Sequence, residues 1–504
     1  MERVDFRPLL NNIHAFAKAG GITIRNYQTP AVDAIVDSVL NHRGFHFVVE
    51  FPRQSGKNEI QAQIENYLLF RFMQTGGQIV KISPTWKPQS INAKQRFSRV
   101  SKSNQITQNF VQPSQGYQFL MGNEKTKIIF LSGERNSNIV GNTADLLLEI
   151  DEAQEIDKNK FDKEIAPMAA STNATVVFFG TAWTNETLLH RERKFCEAQE
   201  KRDGIQRVFL LTCEDVFPEV PSYKAFVERE IEKMGRNHPT IKTQYFSEEI
   251  DAEGSFIKDA ATLMSGDHRK REKPEPGKIY AMLIDIAGEE EENRVGIKLE
   301  TDESQKRDAT AITICEIDLS SLSGPKHGVT WKVVNRYNWT GMKINEQYAR
   351  IEGLINIWDP YVCVDGTGTG MGLSGFIRQL VPENKFTSFV FSQTSKSKMG
   401  WEWLGMVQTG RWKEYSPADD LQKRFYEQIK YCKYEVLPGP GNLIRFAVPD
   451  GTRNELNEYI HDDLIMSAAM SAVIEEKMGG NWIVPAETYV IQSADPLDAL
   501  GANW

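Results

Sequence analysis

Residues 51–58 read FPRQSGKN and lie between an apolar segment, GFHFVVEF (44–51), and a helix-like segment. A strand, a short polar loop and a helix in this order are the context in which a Gly-Lys pair can bind phosphate. The usual pattern, G-x-x-x-x-G-K-[ST], is only partly matched, because Phe51 replaces the first glycine and Asn58 the last residue. The stretch therefore predicts either a nucleotide loop with unusual residues or a surface turn that contains Gly-Lys.

The chemistry of this loop suits a nucleoside triphosphate. Backbone N–H groups and the helix N-terminus attract phosphate oxygens, and Lys57 adds a positive charge for the β- and γ-phosphates. The Arg53 guanidinium can bind a phosphate with two N–H groups, and the amide oxygen of Asn58 can still ligate Mg²⁺. The residues expected at the ATP phosphates are Arg53, Gln54, Ser55, Gly56, Lys57 and Asn58.

An acidic pair ends another apolar segment, where DLLLEIDEAQ (145–154) contains Asp151 and Glu152. A strand-terminal aspartate can hold Mg²⁺ through its waters, and the glutamate can position or deprotonate the attacking water. Taken alone, the pair also fits a solvated acidic turn. Together with the Gly-Lys loop upstream, it predicts an ATPase.

Two more stretches have residues suited to such a site. FFGTAW (178–183) contains Gly180, Thr181 and Ala182 after an apolar strand, and in motor ATPases a strand end of this kind can sense the γ-phosphate. The alternative is an ordinary turn between a strand and a helix. RNYQTP contains Tyr27 and Gln28, which can stack on adenine and pair with its edge, or can simply be a polar pair at a helix start.

Composition narrows the class of protein. The 504 residues, 40% apolar and 25% charged, indicate a soluble globular chain of two or three domains. The net charge of −9 means that any nucleic-acid contact must use local basic patches. The five scattered cysteines disfavour a disulfide framework or a zinc site. Because the N-terminus has no signal-like apolar region and no segment is long enough to span a membrane, we expect a cytoplasmic protein.

Apolar and helix-like segments alternate over about 27–250, which favours a parallel sheet covered on both faces. A polar stretch at 251–278 indicates a linker or domain edge, and a second α/β pattern follows it. The strands expected are 44–51, 76–83, 125–132, 144–151, 172–180, 278–288, 307–318, 327–339 and 361–366. The helices expected are 59–73, 346–358 and 454–477, before a loosely ordered tail at 479–504.

Aspartates recur at the ends of apolar segments in the second half. Asp285 ends YAMLID, Asp365 ends YVCVD, and Asp462 and Asp463 precede an apolar helical stretch. Such carboxylates can converge on two Mg²⁺ or Mn²⁺ ions, which would stabilise both oxygens of a phosphodiester displacement. Strand-end turns explain each aspartate singly, but after an ATPase their order favours a metal-dependent nuclease.

The motifs FPRQSGK, LLLEIDEAQ, FFGTAW, MLIDIAG, CVDGTGTG and HDDLIMSA, in this order, resemble the large terminase subunit of tailed bacteriophages. The resemblance covers about 25–475. It implies an α/β fold in which an ASCE-type P-loop ATPase domain with a parallel sheet precedes an RNase H-like nuclease domain. The boundaries expected are 1–255 for the ATPase domain, 256–277 for a linker, 278–478 for the nuclease domain and 479–504 for the tail.

The resemblance also implies a function. An ATPase of this family drives double-stranded DNA through a portal protein into a prohead, and its nuclease cuts concatemeric DNA. The cofactors implied are ATP with Mg²⁺ for the ATPase and two Mg²⁺ or Mn²⁺ ions for the nuclease. The partners implied are a small terminase subunit and a homo-oligomeric ring, usually a pentamer. We expect the protein in the host cytoplasm, docked transiently on the prohead and absent from the mature virion.

Individual roles follow from the same resemblance. The family often has Arg-Gly before the acidic pair, where this chain has Val140-Gly141, so Arg135 is the candidate arginine finger for a neighbouring subunit. In the ATPase domain, the resemblance implies phosphate binding for Arg53 and Lys57, Mg²⁺ binding for Asp151 and catalysis for Glu152. It implies that Gly180, Thr181 and Ala182 couple hydrolysis to movement. In the nuclease domain, it implies catalysis and metal binding for Asp285, Asp365 and Asp463, with Asp462 as an adjacent ligand.

Two basic segments are candidates for DNA contact. Residues 81–110 contain six Lys or Arg and no Asp or Glu, with Trp86 and Phe97 among them. Residues 392–413 follow the Asp365 strand and carry four basic residues. Those four are Lys396, Lys398, Arg411 and Lys413. Solvated helix faces explain such residues equally well, and neither segment predicts base-specific recognition.

Two other classes remain open. A helicase or restriction-type translocase fused to a nuclease would need a second motor domain, and residues 276–475 contain no second P-loop-like motif. A structural capsid or portal-associated protein with a decayed nucleotide site is supported only by Asn58.

Overall fold

A computed structural model describes residues 11–122, 126–286, 309–323, 328–367, 370–437, 443–455 and 457–479. The chain divides into two compact units, Met1–Gly254 with Glu435–Ile444, and Ser255–Tyr434 with Arg445–Trp504. The stretch 256–277, expected as a linker, belongs to the second unit and packs against other residues of that unit. Phe256 stacks on Phe446 with ring centroids 4.5 Å apart, and Met264 is fully buried. Of the tail at 479–504, all but Gly479 lies outside the described residues.

The first unit alternates strands and helices. Its strands are β1 (His46–Glu50), β2 (Gly77–Ser83), β3 (Val111–Ser114), β4 (Gln118–Met121), β5 (Thr126–Ser132), β6 (Leu147–Ile150), β7 (Thr175–Gly180) and β8 (Val208–Leu210). Its helices are α1 (Ile13–Ala19), α2 (Thr29–Leu40), α3 (Lys57–Arg71), α4 (Ile91–Ser103), α5 (Lys158–Lys160), α6 (Leu188–Asp203), α7 (Cys213–Val216), α8 (Pro221–Met234) and α9 (Pro239–Tyr245).

These strands form one sheet in the order β3-β4-β5-β2-β6-β7-β1-β8. The six strands β5, β2, β6, β7, β1 and β8 are parallel to one another. Strands β4 and β3 continue the sheet beyond β5, each antiparallel to its neighbour. Two apolar clusters are buried against the sheet, which explains the continuous apolar strands of the sequence. One strand, β7, separates the loop-bearing β1 from the acidic β6, and this order is that of an ASCE-type P-loop sheet. The predicted fold class of this unit is confirmed.

The second unit has strands β9 (Glu253–Ser255), β10 (Ile279–Asp285), β11 (Ala309–Asp318), β12 (Thr330–Thr340), β13 (Tyr361–Asp365), β14 (Phe386–Phe389), β15 (Trp412–Lys413), β16 (Lys433–Val436) and β17 (Ile444–Ala447), of which β9, β16 and β17 fall at the division between the units. Its helices are α10 (Ala260–Leu263), α11 (Ile344–Trp358), α12 (Gly370–Ile377), α13 (Gln393–Gln408), α14 (Asp420–Tyr431), α15 (Asp463–Ala469) and α16 (Ser471–Met478).

The main sheet of this unit has the order β14-β13-β10-β11-β12-β15. Strands β10, β11 and β12 are antiparallel neighbours, whereas β13 and β14 run parallel to β10. This mixed sheet is RNase H-like, as predicted. The Ser467 hydroxyl holds α15 on the sheet, since it donates to the Leu283 carbonyl at 2.8 Å and lies 2.9 Å from Thr313 Oγ1.

The predicted strands are confirmed, but the helix predicted over 454–477 is wrong in its first part. Helix formation begins only at Asp463, and α15 is followed directly by α16. The preceding stretch instead forms a bridge between Arg453 and Tyr459. Among the residues that the structure describes, no helix is both long and apolar enough to cross a membrane.

Candidate active sites

The loop after β1 has the backbone that a phosphate cradle needs. Gln54 and Gly56 have positive φ angles of 63° and 89°, and α3 begins directly afterwards at Lys57. A Cβ atom on Gly56 would lie 2.6 Å from Gln28 Nε2. Glycine is required here because it alone combines this backbone with such a close approach.

Two side chains from the start of α2 hold the loop. The Tyr27 hydroxyl and the Gln28 amide both donate to the Ser55 carbonyl, at 2.8 and 2.9 Å. Gln28 is buried, and its Oε1 accepts from the backbone N–H of Arg25. Because its amide nitrogen and its amide oxygen both form hydrogen bonds with the backbone, Gln28 supports the loop in this structure. The sequence suggested a contact with adenine.

The α8–α9 segment supports the other side of the loop. The Arg53 backbone N–H donates to the Gln244 carbonyl at 2.7 Å, and the Arg53 carbonyl accepts from the Tyr223 hydroxyl at 2.7 Å. The Arg53 side chain is exposed, so its guanidinium is available to a ligand. Ser55 is buried and donates to the Pro52 carbonyl at 2.7 Å, which makes its hydroxyl part of the loop framework.

A cavity of about 590 Å³ opens beside this loop, a size that suits a small-molecule ligand. Its lining comes from the loop, from α3 and α4, and from the ends of β6 and β7. The polar residues that decide its chemistry are Arg53, Gln54, Lys57, Asn58, Gln61, Lys81, Arg96, Asp151, Glu152, Gln154, Glu155 and Thr181. The phosphate-binding and acidic residues predicted from separate motifs thus share one cavity.

Lys57 and the acidic pair meet directly. The Lys57 ammonium lies 3.4 Å from Glu152 Oε1, and Asp151 Oδ1 accepts from Gln61 Nε2 at 3.1 Å. Burial raises the pKa of Asp151, with Lys81 opposing that shift. Burial also acts to raise the pKa of Glu152, but the charge of Lys57, the hydrogen bonds from Gln154 and Lys57 and the charge of Arg53 together outweigh burial, and the net pKa is lowered. Glu152 therefore carries a negative charge, as a general base requires.

The residues around Asp151 fit Mg²⁺ bound with a nucleotide. The Asp151 carboxylate and the Asn58 side chain both line the cavity, and Asn58 is exposed on the first turn of α3. Carboxylate and amide oxygens are the ligands that Mg²⁺ prefers. The amide of Asn58 therefore stands where a Ser or Thr hydroxyl is usual.

Gln154 connects Glu152 to the end of β7. Its Nε2 donates to Glu152 Oε2 at 2.7 Å, and its Oε1 accepts from the Thr181 N–H at 3.3 Å. A Cβ atom on Gly180 would lie 2.5 Å from that same Oε1. Ala182 is buried just beyond. The predicted coupling residues Gly180 to Ala182 thus lie at or beside Gln154, and the Gln154 side chain contacts Glu152, the predicted base.

Arg135 lies apart from this cavity lining. Its side chain is 75% exposed, and its Nη2 donates to Asp157 Oδ2 at 2.7 Å. The Arg135 guanidinium is therefore at the surface and outside the cavity that Lys57 and Glu152 line.

In the second unit, β10 and β13 bring their aspartates to one edge. The two strands are parallel neighbours, so Asp285 and Asp365 both stand at carboxyl ends, and Asp463 begins α15, which packs against β10 and β11. Asp365 Oδ1 accepts from the Thr367 N–H at 2.8 Å, and Asp463 Oδ2 from the Ala309 N–H at 3.2 Å. Backbone donors therefore orient two of the three carboxylates.

The negative charges of four aspartates lie close together at this edge of the sheet. Burial raises the pKa of Asp285 far above its ordinary value, and the charges of Asp463, Asp365 and Asp462 add to that shift. Lys396, whose ammonium lies 4.0 Å from Asp462, opposes it. Within the described ranges, no three His, Cys, Asp or Glu side chains form a group placed to hold a metal ion. Carboxylate oxygens suit Mg²⁺ or Mn²⁺ by their chemistry and charge, but in this structure these carboxylates do not form a ready ligand set.

The structure corrects part of both basic segments. Lys81 and Phe97 are buried in the first unit, and Arg411 is buried with its guanidinium on Glu475 at 2.5 Å. These three side chains cannot reach DNA, since each is enclosed by its own unit. Lys398 is ion-paired with Glu476 at the surface.

Sequence reasoning missed the residues that hold the predicted ones in place. Gln154, Gln61 and Tyr223 were not singled out, and Lys81 was assigned to the wrong role. One signal was available for Lys81, because a lysine in the middle of the apolar run GQIVKIS has to find partners inside the sheet.

Comparison with known proteins gives structural similarity alone. No protein-family model matches the sequence, and no curated protein matches it. The large terminase of a thermophilic bacteriophage has 12% identity and a TM-score of 0.45, over 85% of this chain and 93% of that one. The same terminase in complex with ADP has 13% identity and a TM-score of 0.42, over 79% and 91%. The large terminase of bacteriophage HK97 has 12% identity and a TM-score of 0.39, over 92% and 99%. These three structures share 12–13% identity with this chain.

Proposed function

We propose that this chain is the large subunit of a phage DNA-packaging motor, which hydrolyses ATP to move double-stranded DNA into a prohead and cuts concatemeric DNA. One observation carries the proposal. A single chain joins a P-loop sheet, in which Lys57 meets Glu152 beside a cavity, to an RNase H-like sheet with Asp285 and Asp365 at one edge.

ATP hydrolysis needs each group in the first cavity. Lys57, Arg53 and the loop N–H groups would bind the β- and γ-phosphates, and Asp151 with Asn58 would hold Mg²⁺, which neutralises phosphate charge when bound. Glu152, negatively charged and within reach of the same cavity, would accept a proton from the attacking water. Catalysis then consists of positioning and charge stabilisation by this chain's own residues.

The second unit would cut DNA. Asp285, Asp365 and Asp463 would hold one or two divalent ions, with Asp462 beside them, and bound ions supply stabilisation of the attacking and leaving oxygens. The backbone N–H groups of Thr367 and Ala309 keep two of these carboxylates oriented. Lys396 is the basic residue of the 392–413 segment that is best placed for a phosphate near this edge.

Movement and assembly complete the proposal. Gln154 touches both Glu152 and Thr181, so a change at the γ-phosphate can reach the β7 strand end through one side chain. The exposed Arg135 would act on the ATP of a neighbouring subunit in a ring, which we propose to be a pentamer. The ring would dock on the portal in the host cytoplasm, together with a small subunit, and leave before the virion matures.

A packaging assay tests this function. The full chain, portal-bearing proheads of the same phage and linear double-stranded DNA should give nuclease-protected DNA only with ATP, and Glu152→Gln should abolish protection. If the protein instead displaces a third strand from free DNA with ATP but never protects DNA in proheads, a helicase or restriction-type translocase replaces the packaging motor. If ATP is hydrolysed by neither wild type nor variant, the nucleotide site is a structural relic.

A further inference from the structure

A buried lysine lies under the nucleotide cavity. Lys81, in the middle of β2, is 3% exposed, and its ammonium lies 2.6 Å from Glu65 Oε1 and 3.5 Å from Glu149 Oε2. Its third contact is the Oε1 atom of Gln61. Burial alone would lower the pKa of Lys81, but the carboxylates of Glu65, Glu149 and Asp151 raise it above its ordinary value. The side chain is therefore a fixed positive charge inside the unit.

Lys81 decides which way the Gln61 amide faces. An ammonium group can only donate hydrogen bonds, so Gln61 must turn its oxygen towards Lys81. The NH₂ end then points the other way, and Nε2 donates to Asp151 Oδ1 at 3.1 Å. A flipped amide would place N–H groups against the ammonium and an oxygen against the Asp151 carboxylate, and both contacts would be repulsive.

The chain of contacts joins the two halves of the nucleotide site. Gln61 lies one turn after Lys57 on α3, and Asp151 directly follows β6. Lys81 bonds to α3 through Gln61 and Glu65, and it contacts β6 through Glu149. The loop-bearing helix and the acidic strand are thus fixed to each other through one buried cation.

We propose that Gln61 and Lys81 are positioning residues that orient the Asp151 carboxylate for a magnesium–nucleotide complex. The inference deepens the proposed ATPase function and rests on it. Neither residue is assigned a contact with nucleotide, because each acts through Asp151. Partners that orient a metal-binding carboxylate commonly change metal affinity by about 10–100-fold when they are removed.

The decisive variant is Gln61→Leu, with Gln63→Leu as its matched control. Gln63 is also buried on α3, but its Nε2 donates to Glu59 Oε1 at 3.2 Å and not to Asp151. Binding of a fluorescent ATP analogue is measured by titration in EDTA and at a series of Mg²⁺ concentrations. Wild type and Gln63→Leu should show the same Mg²⁺-dependent gain in affinity. In Gln61→Leu the metal-free affinity should be unchanged, whereas the Mg²⁺ concentration for half of the gain should rise about 10–100-fold.

A second variant tests the role of the lysine. Lys81→Met combined with Glu65→Leu removes the cation together with its nearest carboxylate, so that, among the described residues, Glu149 is the one direct ion-pair partner of Lys81 left buried without it. The Gln61 amide then loses the group that fixes its orientation, and the same Mg²⁺ shift is expected, while thermal unfolding confirms that the double variant is folded.

Three results would overturn the inference. One is a Mg²⁺ dependence in Gln61→Leu within twofold of wild type. Another is weaker binding in EDTA by the same factor, which would mean that Gln61 supports the loop and not the metal ligand. A wild-type protein that gains no affinity from Mg²⁺ would overturn the proposed ATPase function as well, so the two failures are distinguishable.

Discussion

The Lys57 ammonium lies 3.4 Å from Glu152 Oε1, with both side chains lining one cavity. The contact joins the first turn of α3 to the end of β6, and one strand, β7, separates β1 from β6 in the sheet. Together with the Gln154 hydrogen bond and the charge of Arg53, it lowers the net pKa of Glu152 although burial acts to raise it. The pair places a charged carboxylate next to the side chain expected to bind phosphate.

Glu152→Gln should remove ATP hydrolysis without removing ATP binding. The amide keeps the shape of the side chain but cannot accept a proton from water, so kcat should fall by about 10²-fold or more. The measurement is phosphate release together with binding of a fluorescent ATP analogue. Glu134→Gln, at an exposed position, should leave both unchanged. Equal hydrolysis by Glu152→Gln and wild type would move the general base to another residue.

Gly56→Ala should abolish nucleotide binding through a local clash. The new Cβ atom would lie 2.6 Å from Gln28 Nε2, on a backbone with φ of +89°. Gly204→Ala is the matched control, because its φ is +74° but nothing lies within 4 Å of its Cβ position. Both variants should lose about 1–2 kcal/mol of stability from the backbone alone, and only Gly56→Ala should lose nucleotide affinity. Loss of affinity in both would show that general destabilisation, and not the clash, is responsible.

Arg135→Ala should affect ATP hydrolysis only in the assembled ring. The side chain is 75% exposed and pairs with Asp157, so its removal should cost less than about 1 kcal/mol. The rate per subunit should rise with protein concentration or on proheads in wild type, and this rise should be absent in Arg135→Ala. Arg191→Ala removes a comparable surface pair with Asp162 at 2.8 Å and should behave like wild type. A lower rate in the dilute monomer would assign Arg135 a role within its own subunit.

The sequence singled out the residues that share the first cavity better than those that hold them. Lys57, Asp151 and Glu152 were singled out because strand–loop–helix and strand-end patterns are local, and their roles stay predictions. Lys81 and Arg411 were misassigned to DNA contact, since charge along a segment does not show which side chains point inward. Their partners, Glu65 and Glu475, come from distant parts of the chain, and only the folded sheets bring them together.

Another error has an equally physical cause. The helix predicted over 454–477 was started too early, because the polar residues before Asp463 fit a helical pattern but pair as a bridge between Arg453 and Tyr459. The contact of Gln28 with adenine stays a prediction. In this structure the Gln28 amide donates to the Ser55 carbonyl, a partner that the sequence pattern did not indicate.

Arg336→Met should destabilise the second unit strongly. Arg336 and Glu414 are fully buried, their two hydrogen bonds measure 2.5 and 2.6 Å, and Glu414 also accepts from Trp412 Nε1. Removing only the cation leaves Glu414 buried and uncompensated, which costs about 3–5 kcal/mol. Denaturant unfolding monitored by tryptophan fluorescence measures the loss. Arg336→Met combined with Glu414→Leu should recover much of it, and a double variant as unstable as the single one would contradict this explanation.

Cleavage of supercoiled plasmid with Mg²⁺ or Mn²⁺ tests the central claim most directly, because the proposed motor must carry its own nuclease. Asp365→Ala is compared with wild type and with Asp359→Ala, which changes an exposed aspartate just before the same strand, ion-paired to Lys385 at 2.7 Å. We predict metal-dependent cutting by wild type and Asp359→Ala and none by Asp365→Ala. Equal cutting by all three proteins, or none by wild type with either metal, would contradict a nuclease at this edge of the second sheet.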